Sequence, residues 1–80
     1  MRRTVVETAT GNYVAVCTDY VPFPLGRNKF ETAVYKCRRN GLINKAFIEL
    51  DLLIGASEAE ARANHSTMVR KWKGGTLEKI

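Results

Sequence analysis

Histidine, cysteine and proline are scarce in this 80-residue chain: one His and two each of the others. A lone His65 with Cys17 and Cys37 far apart, and no CxxC pair, supports neither a zinc site nor a disulfide framework. Both cysteines then read as small buried apolar side chains. Glycine-rich phosphate loops are missing too, because Gly26 stands alone and Gly74-Gly75 follows a helical pattern instead of opening one. No apolar run approaches the ~20 residues of a membrane span. The opening Met1-Arg2-Arg3, followed by Thr4-Val5-Val6-Glu7, is too charged for a signal peptide. These absences lead us to expect a cytoplasmic protein, without membrane association, cofactor or metal. They also predict no enzyme, since a nucleophile, a base and an orienting group cannot be assembled from one His and two unremarkable Cys.

What is present is an ordinary globular composition, 45% hydrophobic and 26% charged, enough for a single domain spanning 1–80. A chain of this length buries only about 60% of its unfolded surface, so one thin core is expected and function is worked from the surface. Thirteen Lys and Arg against eight Asp and Glu give a net charge of +5 and a pI near 9.6, which favours acidic partners.

Val, Thr and Tyr crowd the segments on either side of Thr10-Gly11-Asn12, predicting a first hairpin over 4–21. With Gly11-Asn12 as a two-residue loop, Val5 would face Thr18, Val6 Cys17 and Glu7 Val16. Both faces then carry apolar groups, and periodicity leaves the buried one open. Both prolines fall in the stretch 21–28, which reads as a connecting loop.

A second hairpin, over 30–54, is centred on Asn40-Gly41, a dipeptide suited to a type I′ turn because both positions need φ > 0. That turn pairs Cys37 with Asn44, Tyr35 with Ala46, Ala33 with Ile48 and Glu31 with Leu50. Ile48, Leu50, Leu52 and Ile54 then alternate with Phe47, Glu49, Asp51 and Leu53. The aliphatic set, joined by Ala33, Tyr35 and Cys37, is expected to be the core.

Ser57-Glu58-Ala59-Glu60 is a capping box and predicts a helix over 57–73. Its apolar stripe is Ala61, His65, Met68, Val69 and Trp72, with acids in the first turn and Arg70, Lys71 and Lys73 in the last, as the helix dipole favours. Residues 74–80 read as a loose tail. The fold class is α+β: a four-stranded antiparallel sheet of two hairpins, with one C-terminal helix packed on one face.

Phe30-Glu31-Thr32-Ala33-Val34-Tyr35, together with Ser57-Glu58-Ala59-Glu60-Ala61, His65 and Met68-Val69, resembles small uncharacterised bacteriophage proteins. These carry a similar F-E-T-apolar-V-aromatic strand and E-A-x-x-x-x-H-x-x-M-V helix. The resemblance covers 30–72 and implies a phage origin and an accessory role, with no catalytic residue to carry over.

His65, on the apolar stripe of a helix, reads as a core residue. Glu31, on the aliphatic face, needs a partner such as His65, Arg62 or a backbone amide. A Glu31–His65 pair would fix the helix on the sheet. Lys36, Arg38, Arg39 and Lys45 gather at the Asn40-Gly41 turn, where Lys36 and Lys45 would repel each other across the strands. The expected function is a non-enzymatic phage-type accessory protein that binds and modulates a host macromolecule, protein or nucleic acid, through its surface. The alternative is a nucleic-acid-binding protein using the basic turn. Unprotected edge strands leave a homodimer open.

Overall fold

β-branched residues at alternate positions form the strands, and glycines at φ > 0 reverse the chain between them. The computed structural model describes residues 2–22, 29–43 and 49–74. Strands β1 (Arg2–Glu7), β2 (Tyr13–Val21), β3 (Lys29–Cys37) and β4 (Glu49–Gly55) make one antiparallel sheet in the order β1-β2-β3-β4. Helix α1 (Glu58–Gly74) follows and lies across one face, touching all four strands. The predicted fold class is therefore the observed one.

Two hairpin ends share one loop geometry. In the first, the Thr8 amide donates to Asn12 O at 2.8 Å and the Gly11 amide to Thr8 O at 3.0 Å; in the second, Arg38 donates to Leu42 O at 3.0 Å and Gly41 to Arg38 O at 2.8 Å. Gly11 at φ 85° and Gly41 at φ 87° occupy the left-handed position that closes a type I turn with a bulge. The expected two-residue loops are thus corrected, because each glycine takes the bulge position: Gly11 does not open a Gly11-Asn12 loop, and Gly41 does not take the second position of a type I′ turn. In the first hairpin Val5 accordingly pairs with Ala15, Val6 with Val14 and Glu7 with Tyr13.

In the second hairpin Cys37 bridges Ile43, Tyr35 pairs with Glu49, Ala33 with Leu52 and Glu31 with Ile54, with an irregularity between Val34 and Tyr35. The pairing of Ala33 slides from the expected Ile48 to Leu52, an even step, so Ala33, Tyr35, Leu52 and Ile54 still share a face. That face is nevertheless not the one the helix covers. Leu52 and Ile54 remain 40% and 45% exposed. Val14, Val16 and Val34, all fully buried on the opposite face, form the core with Val6, Met68 and Trp72, and Leu50, Leu53 and Val69 pack against it. The central strands explain the choice. Their helix-side positions hold valines while the other side holds Ala15, Cys17 and Ala33, so the thicker apolar layer lies under α1. The regular aliphatic alternation belongs to β4, an edge strand with less say in where the core forms.

The capping box forms with one change. Glu60 N donates to Ser57 Oγ at 3.2 Å as expected, but the Glu60 carboxylate accepts from the Ala56 amide at 3.2 Å, one residue before the cap. Ala61, His65, Met68 and Trp72 are the buried stripe of the helix. Phe47, Ile48, the tail from Gly75 and most of the connecting loop lie outside the described residues.

Candidate binding surface and the polar clusters beneath the helix

Alternation along β2 and β3 assigns side chains to the open face: Arg3, Val5 and Glu7 on β1; Tyr13, Ala15, Cys17, Asp19 and Val21 on β2; Lys29, Glu31, Ala33, Tyr35 and Cys37 on β3; Leu52 and Ile54 on β4. Glu49 joins them opposite Tyr35. Ala15, Cys17 and Ala33 put small side chains at the middle of the two central strands. Asp19 sits directly opposite Glu31, a like-charge pair that costs stability. Burial, with the Glu49 carboxylate next in weight, pushes the Tyr35 phenol above its ordinary value. Burial likewise raises both thiols against the lowering influence of Arg3, which leaves Cys17 and Cys37 as poor nucleophiles.

The turn 38–42 partly replaces the cover this face lacks. Arg3 Nη2 donates to Gly41 O at 2.8 Å, and a Cβ on Gly41 would stand 3.1 Å from Val5 Cγ2. The turn therefore folds back toward β1 over the open side, and Ala15 beneath is fully buried. Leu42, 58% exposed, is carried on this turn.

This geometry divides the basic group expected at Asn40-Gly41. Lys36 pairs with Val14 and so shares the helix-covered side of the sheet, whereas exposed Arg38 and Arg39 ride on the turn that folds toward the open side. Lys45, and with it the expected Lys36–Lys45 repulsion, lies outside the described residues.

His65 and Glu31 are not partners. Glu31 projects from the open face, and His65 lies under α1 on the other. The imidazole, 2% exposed, is instead held by threonines: Nδ1 is 2.7 Å from Thr18 Oγ1 and Nε2 is 2.8 Å from Thr4 Oγ1, while Thr18 Oγ1 meets Thr32 Oγ1 at 2.8 Å. A neutral ring, one nitrogen donating and one accepting, satisfies this chain of hydroxyls. Burial, aided by the charge of Arg2, holds His65 below its ordinary pKa. The missed signal is the helix-side threonine ladder Thr4, Thr18, Thr32, three hydroxyls on neighbouring strands.

A second polar cluster holds the other end of the helix. Asp51 Oδ2 accepts from Lys71 Nζ at 2.6 Å and from Trp72 Nε1 at 3.2 Å, and Oδ1 accepts from the Leu52 amide at 3.0 Å. Burial works against the carboxylate, but these hydrogen bonds outweigh it and the Asp51 pKa falls below its ordinary value. Among the described residues no helix is long and apolar enough to cross a membrane, and no three His, Cys, Asp or Glu side chains are grouped to hold a metal ion.

No family model, curated protein or solved structure matches this chain. Its class rests on the architecture just described: an α+β domain with one helix-covered and one open sheet face.

Proposed function

We propose that this chain is a binding protein without turnover, that its working surface is the open sheet face, and that its partner is a protein segment presenting apolar side chains flanked by Lys or Arg. One observation carries the reading. Of the five large hydrophobic residues left exposed among the described residues, Val5, Leu52 and Ile54 are on that face and Leu42 is on the turn folded toward it. A cluster of exposed apolar groups on one side marks an interaction surface.

Charge selects the partner. Among the described residues, the strands of that face carry Glu7, Asp19, Glu31 and Glu49 against Arg3 and Lys29, with Arg38 and Arg39 at its edge on the turn, although the whole chain carries +5. A phosphate backbone would meet these carboxylates, while a basic and apolar peptide complements them. The separation of Lys36 from Arg38 and Arg39 also weakens the nucleic-acid reading. The likeness to bacteriophage reading frames supports a host protein as the source of that segment.

The test uses isotope-labelled protein and three probes: a 12-residue peptide of alternating Leu and Lys, its Leu and Glu counterpart, and a 20-nucleotide single strand. The Leu and Lys peptide should shift the amides of Val5, Cys17, Ala33, Leu52 and Ile54, and Leu52→Lys should abolish the effect. Shifts produced chiefly by the oligonucleotide, at Lys36, Arg38 and Arg39, would instead favour nucleic acid. Sedimentation that grows with concentration and is lost in Leu52→Lys would make the occupant a second copy of this chain.

A further inference from the structure

The helix-covered face is well filled at one end and unfilled at the other. The buried stripe of α1 grows from Ala61 through His65 and Met68 to Trp72. At the Trp72 end large side chains close onto the valines of β1, β2 and β3. At the Ala61 end a side chain of one carbon faces the sheet, and a cavity of about 280 Å³ remains, lined by Arg2, Thr18, Tyr20, Phe30, Glu58, Ala61 and Arg62.

The lining has a chemical pattern. Tyr20 and Phe30, opposite each other on β2 and β3, stand with ring centroids 5.0 Å apart at 58° and form an aromatic wall. Tyr20 is 49% exposed although it projects from the helix-covered side, so it borders the cavity without plugging it. Buried Thr18, tied to neutral His65, makes the inner end uncharged. Arg2 and Arg62 supply two guanidinium groups, and the Arg2 charge reaches inward far enough to help lower the His65 pKa. Among the described residues Arg62 is paired with Glu58 at 3.4 Å, an exposed surface ion pair of the kind that contributes little.

We propose that this cavity is a binding site for a small aromatic carboxylate, its ring between Ala61 and the Tyr20–Phe30 wall and its carboxylate on Arg2 and Arg62. Planar guanidinium groups match a carboxylate in geometry as well as charge. An aromatic wall with few polar groups is the usual composition of a small-molecule pocket. Glu58 is the competitor: binding requires Arg62 to exchange the Glu58 carboxylate for that of the ligand. The site is independent of the open face, which lies across the sheet from it.

Benzoate, benzamide and inorganic phosphate are the probes, titrated into the full chain and followed by amide and ring resonances. Benzoate should saturate with a Kd of about 1 mM, as suits so small a ligand, shifting Thr18, Tyr20, Phe30, Ala61 and Arg62. Benzamide, lacking the charge, should bind about tenfold more weakly. Phosphate, lacking the ring, should not reproduce the Tyr20 and Phe30 shifts. Arg62→Gln should weaken benzoate several-fold and Glu58→Gln should tighten it; both positions are exposed, so the fold should be kept. Equal binding of benzoate and benzamide, equal effects of phosphate, no saturable shift at these residues, or a Glu58→Gln variant that binds no better would each overturn the proposal.

Discussion

The two faces of one sheet show two ways to bury a strand. On the helix-covered face, large side chains of α1 meet valines of the central strands, and the polar groups that must be there are satisfied by one another: threonines by His65, Asp51 by Lys71 and Trp72. On the open face there is no helix, and burial comes from smallness. Ala15 and Ala33 are buried because they are short and their neighbours are not, helped by the 38–42 turn held on Arg3 and Val5. The covered face is specified by packing and paired polar groups. The open one retains exposed apolar and charged groups that the fold itself does not use.

Truncation should separate the faces most sharply. Trp72→Ala removes the largest side chain of the core and leaves the Asp51 carboxylate with one donor fewer, at a cost of about 3–5 kcal/mol. Met68→Ala, at 1% exposure, should cost about 2–5 kcal/mol. For a domain of this size either change removes a large share of the total stability. Urea unfolding followed by circular dichroism gives the comparison, and an unchanged midpoint for Trp72→Ala would place that indole outside the core.

The twin turns offer a smaller and cleaner contrast. Gly11→Ala meets only the backbone penalty of an L-residue at φ 85°, about 1–2 kcal/mol, since nothing lies within 4 Å of the new Cβ. Gly41→Ala meets the same penalty and a Val5 methyl 3.1 Å away, which should add about 1 kcal/mol or more through overpacking. Val5→Ala in the Gly41→Ala background should recover that added part. If the two single variants melt together, the 38–42 turn does not press on the open face.

Acid should act on the covered face in two separate windows. The folded His65 pKa is depressed, by burial first and then by Arg2, the charged group facing it from β1, with Glu58 and Arg62 nearer the start of its own helix. The unfolded chain therefore takes up the proton first, near pH 6.5. The stability contributed by neutral His65 is complete above that pH and is lost as pH falls below it. Asp51 is depressed as well, so its contribution is complete above about pH 3.8 and is lost only in stronger acid. His65→Gln should flatten the upper window alone and Asp51→Asn the lower one, as read from denaturation midpoints at a series of pH values. A single step shared by both variants would mean that the clusters titrate together.

How much of this was legible in the residues follows the same division. The helix, its capping serine and its stripe were visible because a 3.6-residue pattern and a local cap are written within one segment. The four strands and their grouping into two hairpins were visible through the two glycine turns, whereas the pairing of β2 with β3 that joins the hairpins was not. The loop type was not, since Asn-Gly fits both a type I′ turn and a type I turn with a bulge, and the choice moves every register pair. The covered face was misread because regular alternation on β4 is a local signal, whereas the core is decided by side-chain volume summed across β2 and β3. Glu31 and His65 were paired on that misreading. The site residues suffered most: whether Lys36 and Arg38 share a surface depends on the parity of a strand and the lean of a turn, both fixed by tertiary contacts.

The smallest stability change should come from the residues most exposed on the open face. Leu52→Ala and Ile54→Ala remove side chains already 40% and 45% exposed, so each forfeits only part of the transfer free energy of a buried aliphatic, about 1 kcal/mol or less. Leu52→Lys adds a charge on edge strand β4, a position where lysine is well tolerated and discourages pairing with another strand. It also brings a cation to a face carrying Glu31, Asp19 and Glu49. Its melting temperature should stay within a few degrees of the parent, in contrast to the large loss expected for Trp72→Ala. Binding of the Leu and Lys peptide should nevertheless disappear, because the variant loses an apolar contact and gains repulsion on the proposed surface. A Leu52→Lys variant that melts like the parent and still binds the peptide would move the working surface off the open face, whereas one that unfolds would show that this face is as much a part of the core as the covered one.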